Sequence, residues 1–191
     1  MVRILLGVIL ALVLVPVAIF AWLKGGHPPV AVADAPLPME DKITHVALDA
    51  RIARELPGTP PIPADEVNLT AGAAVYRDQC AVCHGFHGRP ATIAAHMFPK
   101  APALWEKHKN SDVVGVSDDP PGETYWKVAN GIRLSGMPAF KDTLTDTQIW
   151  QVSLLLASAD KPLPQGALGI VLGLEPATMP TPPQVVTKKT H

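Results

Sequence analysis

Cys80-Ala81-Val82-Cys83-His84 packs two thiols and an imidazole into five consecutive positions. Thiols at this spacing, followed at once by histidine, suit attachment of a c-type haem: the sulfurs add to porphyrin vinyl groups and the imidazole ligates iron. Three other chemistries use the same residue types. A thioredoxin-like CxxC needs a βαβ setting, and no convincing strand alternation occurs. A zinc site from Cys80, Cys83, His84 and His87 crowds its four ligands together and leaves poor tetrahedral geometry. A disulfide across so short a loop stabilises little. The chain has two cysteines in all, so attachment would use every thiol.

Iron held by one imidazole needs its opposite position defined, because an open site favours ligand binding and a closed one electron transfer. Met137, in Gly136-Met137-Pro138-Ala139-Phe140, is the candidate, since glycine and proline on either side favour an extended loop that can push a thioether inward. Its rivals are Met97 and Met179 among thioethers and His87, His96 and His108 among imidazoles. Core packing is the alternative use of any methionine.

The elements that must position these residues follow from the rest of the chain. It has 191 residues, is 48% hydrophobic but only 5% aromatic, and contains 21 prolines. A large all-protein core is not expected from such a composition. The formal net charge of -1 gives no basic excess for nucleic acid. Neither a phosphate-cradling glycine loop nor a GxSxG elbow occurs.

Residues 4–23 carry no charge and lie between Arg3 and Lys24, long enough to span a hydrocarbon core of about 30 Å. A cleaved signal is the competing reading, with Ala31-Val32-Ala33 as its cleavage site, but the apolar run exceeds the usual ~7–15 residues of such a signal. Residues 1–24 are therefore expected to form an anchor, and 25–67 a linker with a short amphipathic helix from Lys42 to Leu56. Positions 34–68 hold seven acids and three bases, the pattern of a solvated stalk. A compact unit is expected over 68–162. Its helices are a first one from Ala71 to Gln79 capped by Thr70, then Glu123–Asn130 closed by Gly131, then Thr145–Ala157 opened by a Thr145/Gln148 capping box. Residues 163–191 read as a proline-rich tail, either disordered or docked on a partner.

With these residues in view, 68–162 resembles the class I c-type cytochromes, through Cys80, Cys83 and His84, Ala101-Pro102-Ala103-Leu104, Gly131-Ile132-Arg133 and Gly136-Met137-Pro138. The resemblance implies an all-α fold around one covalent haem c and its iron, with His84 and Met137 as axial ligands. It implies that the Pro102 carbonyl accepts from His84 Nδ1, and that Gly72 and Tyr76 cross Val152 or Leu155. Trp126, Tyr125 and Arg133 are the candidate propionate donors, with core packing as their other use. The anchor, the 34–68 segment and the tail fall outside the family core.

The expected protein is an electron carrier, not an enzyme, held in a bacterial inner membrane with its haem domain in the periplasm. Its partners would be redox proteins: a quinol-oxidising complex, a dehydrogenase or a terminal oxidase. Two alternatives stand beside this, a fixed subunit of a larger redox complex and a haem enzyme or gas sensor with an open sixth position. Nine cations and nine anions over 69–165 give no expectation of strong long-range steering.

Overall fold

A computed structural model describes residues 1–174 and resolves two units, one from Met1 to His45 and one from Val46 onward. Met179 lies outside the described residues. The first unit holds helix α1, Val2–Gly25, with Pro16 inside it. None of its residues is buried, and its most apolar window has a mean hydropathy of 3.1. At about 1.5 Å per residue it is long enough to cross a membrane. After it, the Asp34 carboxylate accepts from the N–H groups of Val30 and Ala31, each at 2.8 Å. Helix α2, Glu40–Glu55, begins in this unit with two acids in its first turn, favourable at the positive end of the helix dipole.

The regular secondary structure of the second unit is helical, with two isolated bridges among the described residues. It includes the end of α2, whose Ile52 is buried. Helix α3 runs from Glu66 to Val75 and is capped by the Asp65 carboxylate, which accepts from Asn68 N at 2.9 Å. The cap therefore lies five residues ahead of Thr70: a carboxylate after Pro63-Ala64 takes the role, and Thr70 becomes interior. A π turn over Tyr76–Cys80 continues α3 into the short helix α4, Ala81–His84. Helices α5, Pro121–Asn130, and α6, Asp146–Leu156, sit where the sequence places them, with Gly131 closing the first and the Thr145/Gln148 box opening the second.

α3 crosses α6 at Gly72, where a side chain would run into the backbone at Gln151 and Val152. This close approach buries Tyr76, Ile149, Val152 and Leu155 almost completely. Ser153 is buried with them and is satisfied by donating to Ile149 O at 2.7 Å. α5 also packs on α6.

Two segments expected to lie outside this body belong to it. Residues 163–174 contain helix α7, Gln165–Val171, which packs on α3 and buries Ala167, Ile170 and Val171. On the other side, Ile62 packs on the core and the Pro57 carbonyl lies against Gly122 of α5. The end of the acidic stretch is thus docked, while most of its other side chains stay exposed.

Candidate functional site

The π turn is the first local feature of the site. It widens one turn of an otherwise continuous helix just where Cys80 must leave the packed face, a use of π geometry common at functional positions. Cys80 and Cys83 are both free thiols and partly buried. Burial, reinforced by the charge of Cys83, pushes the Cys80 thiol up to about 12.

His84 ends α4, and its ring is fixed from outside the helix: Nδ1 lies 2.8 Å from Pro102 O. A backbone carbonyl can only accept, so Nδ1 carries the proton and Nε2 keeps its lone pair for a metal. Burial lowers the imidazole's pKa, opposed by that hydrogen bond, so the ring is held neutral.

Each segment that carries an expected ligand adjoins a glycine in a conformation closed to other residues. Gly85, directly after His84, has φ 77° and ψ -177°, and a Cβ there would lie 2.6 Å from Arg89 O. Gly131, ahead of the methionine loop, has φ 66° and ψ -179°, and its Cβ would lie 2.7 Å from Ala139 N and 2.8 Å from Met137 O. This region of backbone space is essentially restricted to glycine.

The Met137 loop closes on itself and on α5. Ile132 N donates to Met137 O at 3.2 Å, Ser135 Oγ to Ile132 O at 2.7 Å, and Met137 N to Ser135 Oγ at 3.1 Å. The chain then returns along α5, with Phe140 N donating to Val128 O at 3.0 Å and Lys141 N to Ala129 O at 3.2 Å. Met137 packs partly buried against the core, while the methyl of Met97 fills the place a Gly136 side chain would take. Among the described residues no three His, Cys, Asp or Glu side chains gather as a metal-holding group. The zinc arrangement of Cys80, Cys83, His84 and His87 therefore finds no support in the geometry.

Residues 67–154 match the family model described as Cytochrome C oxidase, cbb3-type, subunit III. That family is one of the class I c-type cytochromes. Searches of curated proteins and of solved structures return no match.

Cytochrome domains of this family carry covalent haem c, and the donor set here suits one: two free thiols three apart and a neutral, oriented imidazole. A further observation fits a large polar-edged group. Trp105 Nε1 is buried and has no hydrogen-bond partner among the described residues. Its indole packs edge-on to Tyr76, with centroids 5.5 Å apart, and that hydroxyl already donates to Gly85 O at 2.7 Å. The indole is close enough to oppose the upward shift that burial imposes on the Tyr76 phenol, yet no acceptor meets its N–H in hydrogen-bond geometry. An orphaned donor in a cytochrome interior suits a carboxylate of the cofactor.

Two of the donors expected from sequence hold protein acceptors. Trp126 Nε1 donates to Glu55 Oε2 at 2.9 Å, and Tyr125 Oη donates to Asp146 while stacking on Trp150. Arg133 is exposed. Trp105, which was not among those candidates, directly follows the Ala101-Pro102-Ala103-Leu104 stretch that carries the resemblance.

Proposed function

We propose that the chain is a membrane-anchored, periplasmic, single-haem cytochrome that carries one electron at a time between respiratory-chain proteins. Cys80 and Cys83 would hold the haem through thioethers, and His84 and Met137 would ligate its iron. When bound, the group supplies a reversible one-electron couple, which thioether ligation shifts upward in potential. The residues of the chain do the rest. Pro102 holds the imidazole in one tautomer, Gly85 and Gly131 let the two ligand-bearing segments pack against their neighbours, and Trp105 offers a donor to a propionate. Helix α1 would hold the domain near its partners and raise their effective concentration.

The observation that carries this reading is the His84 ring, oriented through Nδ1 by the Pro102 carbonyl at the end of a CxxCH helix inside the segment that matches the cytochrome family. The test is an optical spectrum with redox titration of wild type and Met137→Ala. The expected result is a weak ferric sulfur-to-iron band at the red end of the spectrum that disappears in the variant while covalent haem staining persists. Survival of the band would assign the sixth position to another residue, Met97 first among them.

A second reading, a fixed subunit of a larger oxidase, is favoured by the description of the matching family. Against it, Ile52 and α7, which could have been interaction elements, are docked within the chain's own cytochrome unit. Co-purification in detergent separates the two.

A further inference from the structure

Helix α7 lies beyond the family-matched segment, and the carbonyls of its last turn need partners from outside the helix. Gly173, at φ 67°, closes part of that turn on itself: Gly173 N donates to Ile170 O at 2.8 Å and Leu174 N to Gly169 O at 3.0 Å. This is a Schellman closure, and it does not use Val171 O or Leu172 O. Both of those are met by the turn that follows the CxxCH motif. His87 N donates to Val171 O at 3.1 Å and Arg89 Nη2 to Leu172 O at 3.0 Å, the latter placing a cation at the negative end of the helix. The Arg89 guanidinium also lies 5.1 Å above the Phe86 ring and fills the place a Gly173 side chain would take.

The same turn fixes the peptide that follows His84. Phe86 and Arg89 exchange backbone bonds, Phe86 N donating to Arg89 O at 2.8 Å and Arg89 N to Phe86 O at 2.9 Å. Gly85 is held from two sides: its carbonyl accepts from the buried Tyr76 hydroxyl at 2.7 Å, and Arg89 O stands where its side chain would be. His84 is the next residue back, with its ring tied to Pro102 O. Helix α4 has only four residues, too few to make a stiff frame by itself. The stiffness of the His84 backbone therefore depends on what the 85–89 turn is fastened to.

We propose that the end of α7 braces His84, and that Arg89 is a positioning residue for that imidazole, acting through the 85–89 turn. The proposal rests on the reading of His84 as an iron ligand and adds which residues keep its ring in place. A turn released from α7 lets His84 drift from Pro102 O, and a weaker bond from Nδ1 makes the imidazole a poorer electron donor at Nε2. A segment outside the family match thus tunes a ligand inside it.

The test is solvent exchange of the His84 Nδ1 proton, followed by NMR on the isotope-labelled, reduced, full-length holoprotein in detergent. Exchange is measured at constant pH and well below the melting temperature, with the reduction potential taken alongside. Gly173→Ala displaces the guanidinium without changing any charge. It is expected to speed exchange about tenfold, the scale of one charge-assisted hydrogen bond, and to raise the potential because a poorer donor stabilises ferric iron less. Arg89→Ala is expected to speed exchange equally, and the two changes together to add little to either alone. Arg89→Lys, which keeps the charge and a donor, is expected to restore most of the protection. Ile149→Val, which thins a buried side chain of α6, is the stability control and is expected to lower the melting temperature with exchange as in wild type. Unchanged exchange in Gly173→Ala and Arg89→Ala, no rescue by lysine, or equal acceleration by Ile149→Val would overturn the proposal. Failure of the ligand reading is separate: it would show as a matured chain with no Soret absorption, or with His84 ring protons unshifted by a porphyrin ring current.

Discussion

Replacing Gly131 with alanine adds one methyl group at a point where two penalties coincide. The backbone, at φ 66° and ψ -179°, lies in a region closed to side chains, at a cost of about 1–3 kcal/mol. The new Cβ would also stand 2.7 Å from both Ala139 N and Pro138 C, which belong to the returning loop and cannot rotate away as a side-chain tip would. Overpacking of this kind costs about 1–3 kcal/mol. Relaxation of the loop relieves part of the sum, leaving about 2–4 kcal/mol of destabilisation. For a folded unit of roughly 130 residues, at about 2.1 cal/mol/K per residue, each kcal/mol lowers Tm by about 4 °C. The expected drop is therefore about 8–16 °C, read by far-UV circular dichroism on the holoprotein. The loop that must relax is the one bearing Met137, so the red-end ferric band should weaken or vanish at temperatures where the helices remain intact. Gly58→Ala, with nothing within 4 Å of its Cβ, is the control. A Gly131→Ala protein that melts within about 2 °C of wild type and keeps its ferric band would refute the reasoning.

Two further outcomes follow from the segments flanking the family match. The Trp126 indole, donating to Glu55, is the main cause that lowers the pKa of this carboxyl, with Arg51 contributing less. A depressed folded pKa means stabilisation that is present above the ordinary value of 4.5 and is lost as pH falls through the folded value. Amide protection factors over residues 51–57, taken against the intrinsic exchange rate at each pH, should accordingly fall on acidification below that value while α3 and α6 stay protected, and Glu55→Gln should show the lower protection already at neutral pH. Ending the chain after Pro164 removes Ala167, Ile170 and Val171 from α3; burial of the two larger side chains is worth about 1.5–3 kcal/mol each. A Tm drop of roughly 10–20 °C is expected, and an unchanged melt would show that α7 contributes no stability.

Local chemistry was legible in the sequence wherever a few adjacent residues decide it. The Thr145/Gln148 box and the Gly131 stop are short-range hydrogen-bonding and backbone effects, and both appear as read. The bond from His84 to Pro102 spans only eighteen positions and followed from the resemblance. Less was legible where two suitable residues competed or where the partner was far away. Thr70 and Asp65 both make good caps, and spacing alone did not favour the earlier one. Trp126 and Glu55 meet across seventy-one positions, so nothing near Trp126 revealed that its donor was already committed. The orphaned Trp105 donor is a property of the packed interior, where a tryptophan looks like any other apolar residue until its neighbours are known.

Both docked flanks address the same physical shortage. The cytochrome match covers residues 67–154, and a unit of that size leaves helix faces that its own side chains do not cover. On α3 that cover comes from α7, which is pinned to the segment after the CxxCH motif: His87 N donates to Val171 O at 3.1 Å and Arg89 Nη2 to Leu172 O at 3.0 Å. On α5 it comes from the end of α2, through Ile52, the bond from Trp126 to Glu55, and Arg51 lying 5.8 Å above the indole ring. The domain thus gains stability from its extensions. A composition of 5% aromatic residues and 21 prolines had suggested a weak core with long loose ends; the described residues show instead that part of those ends completes the core.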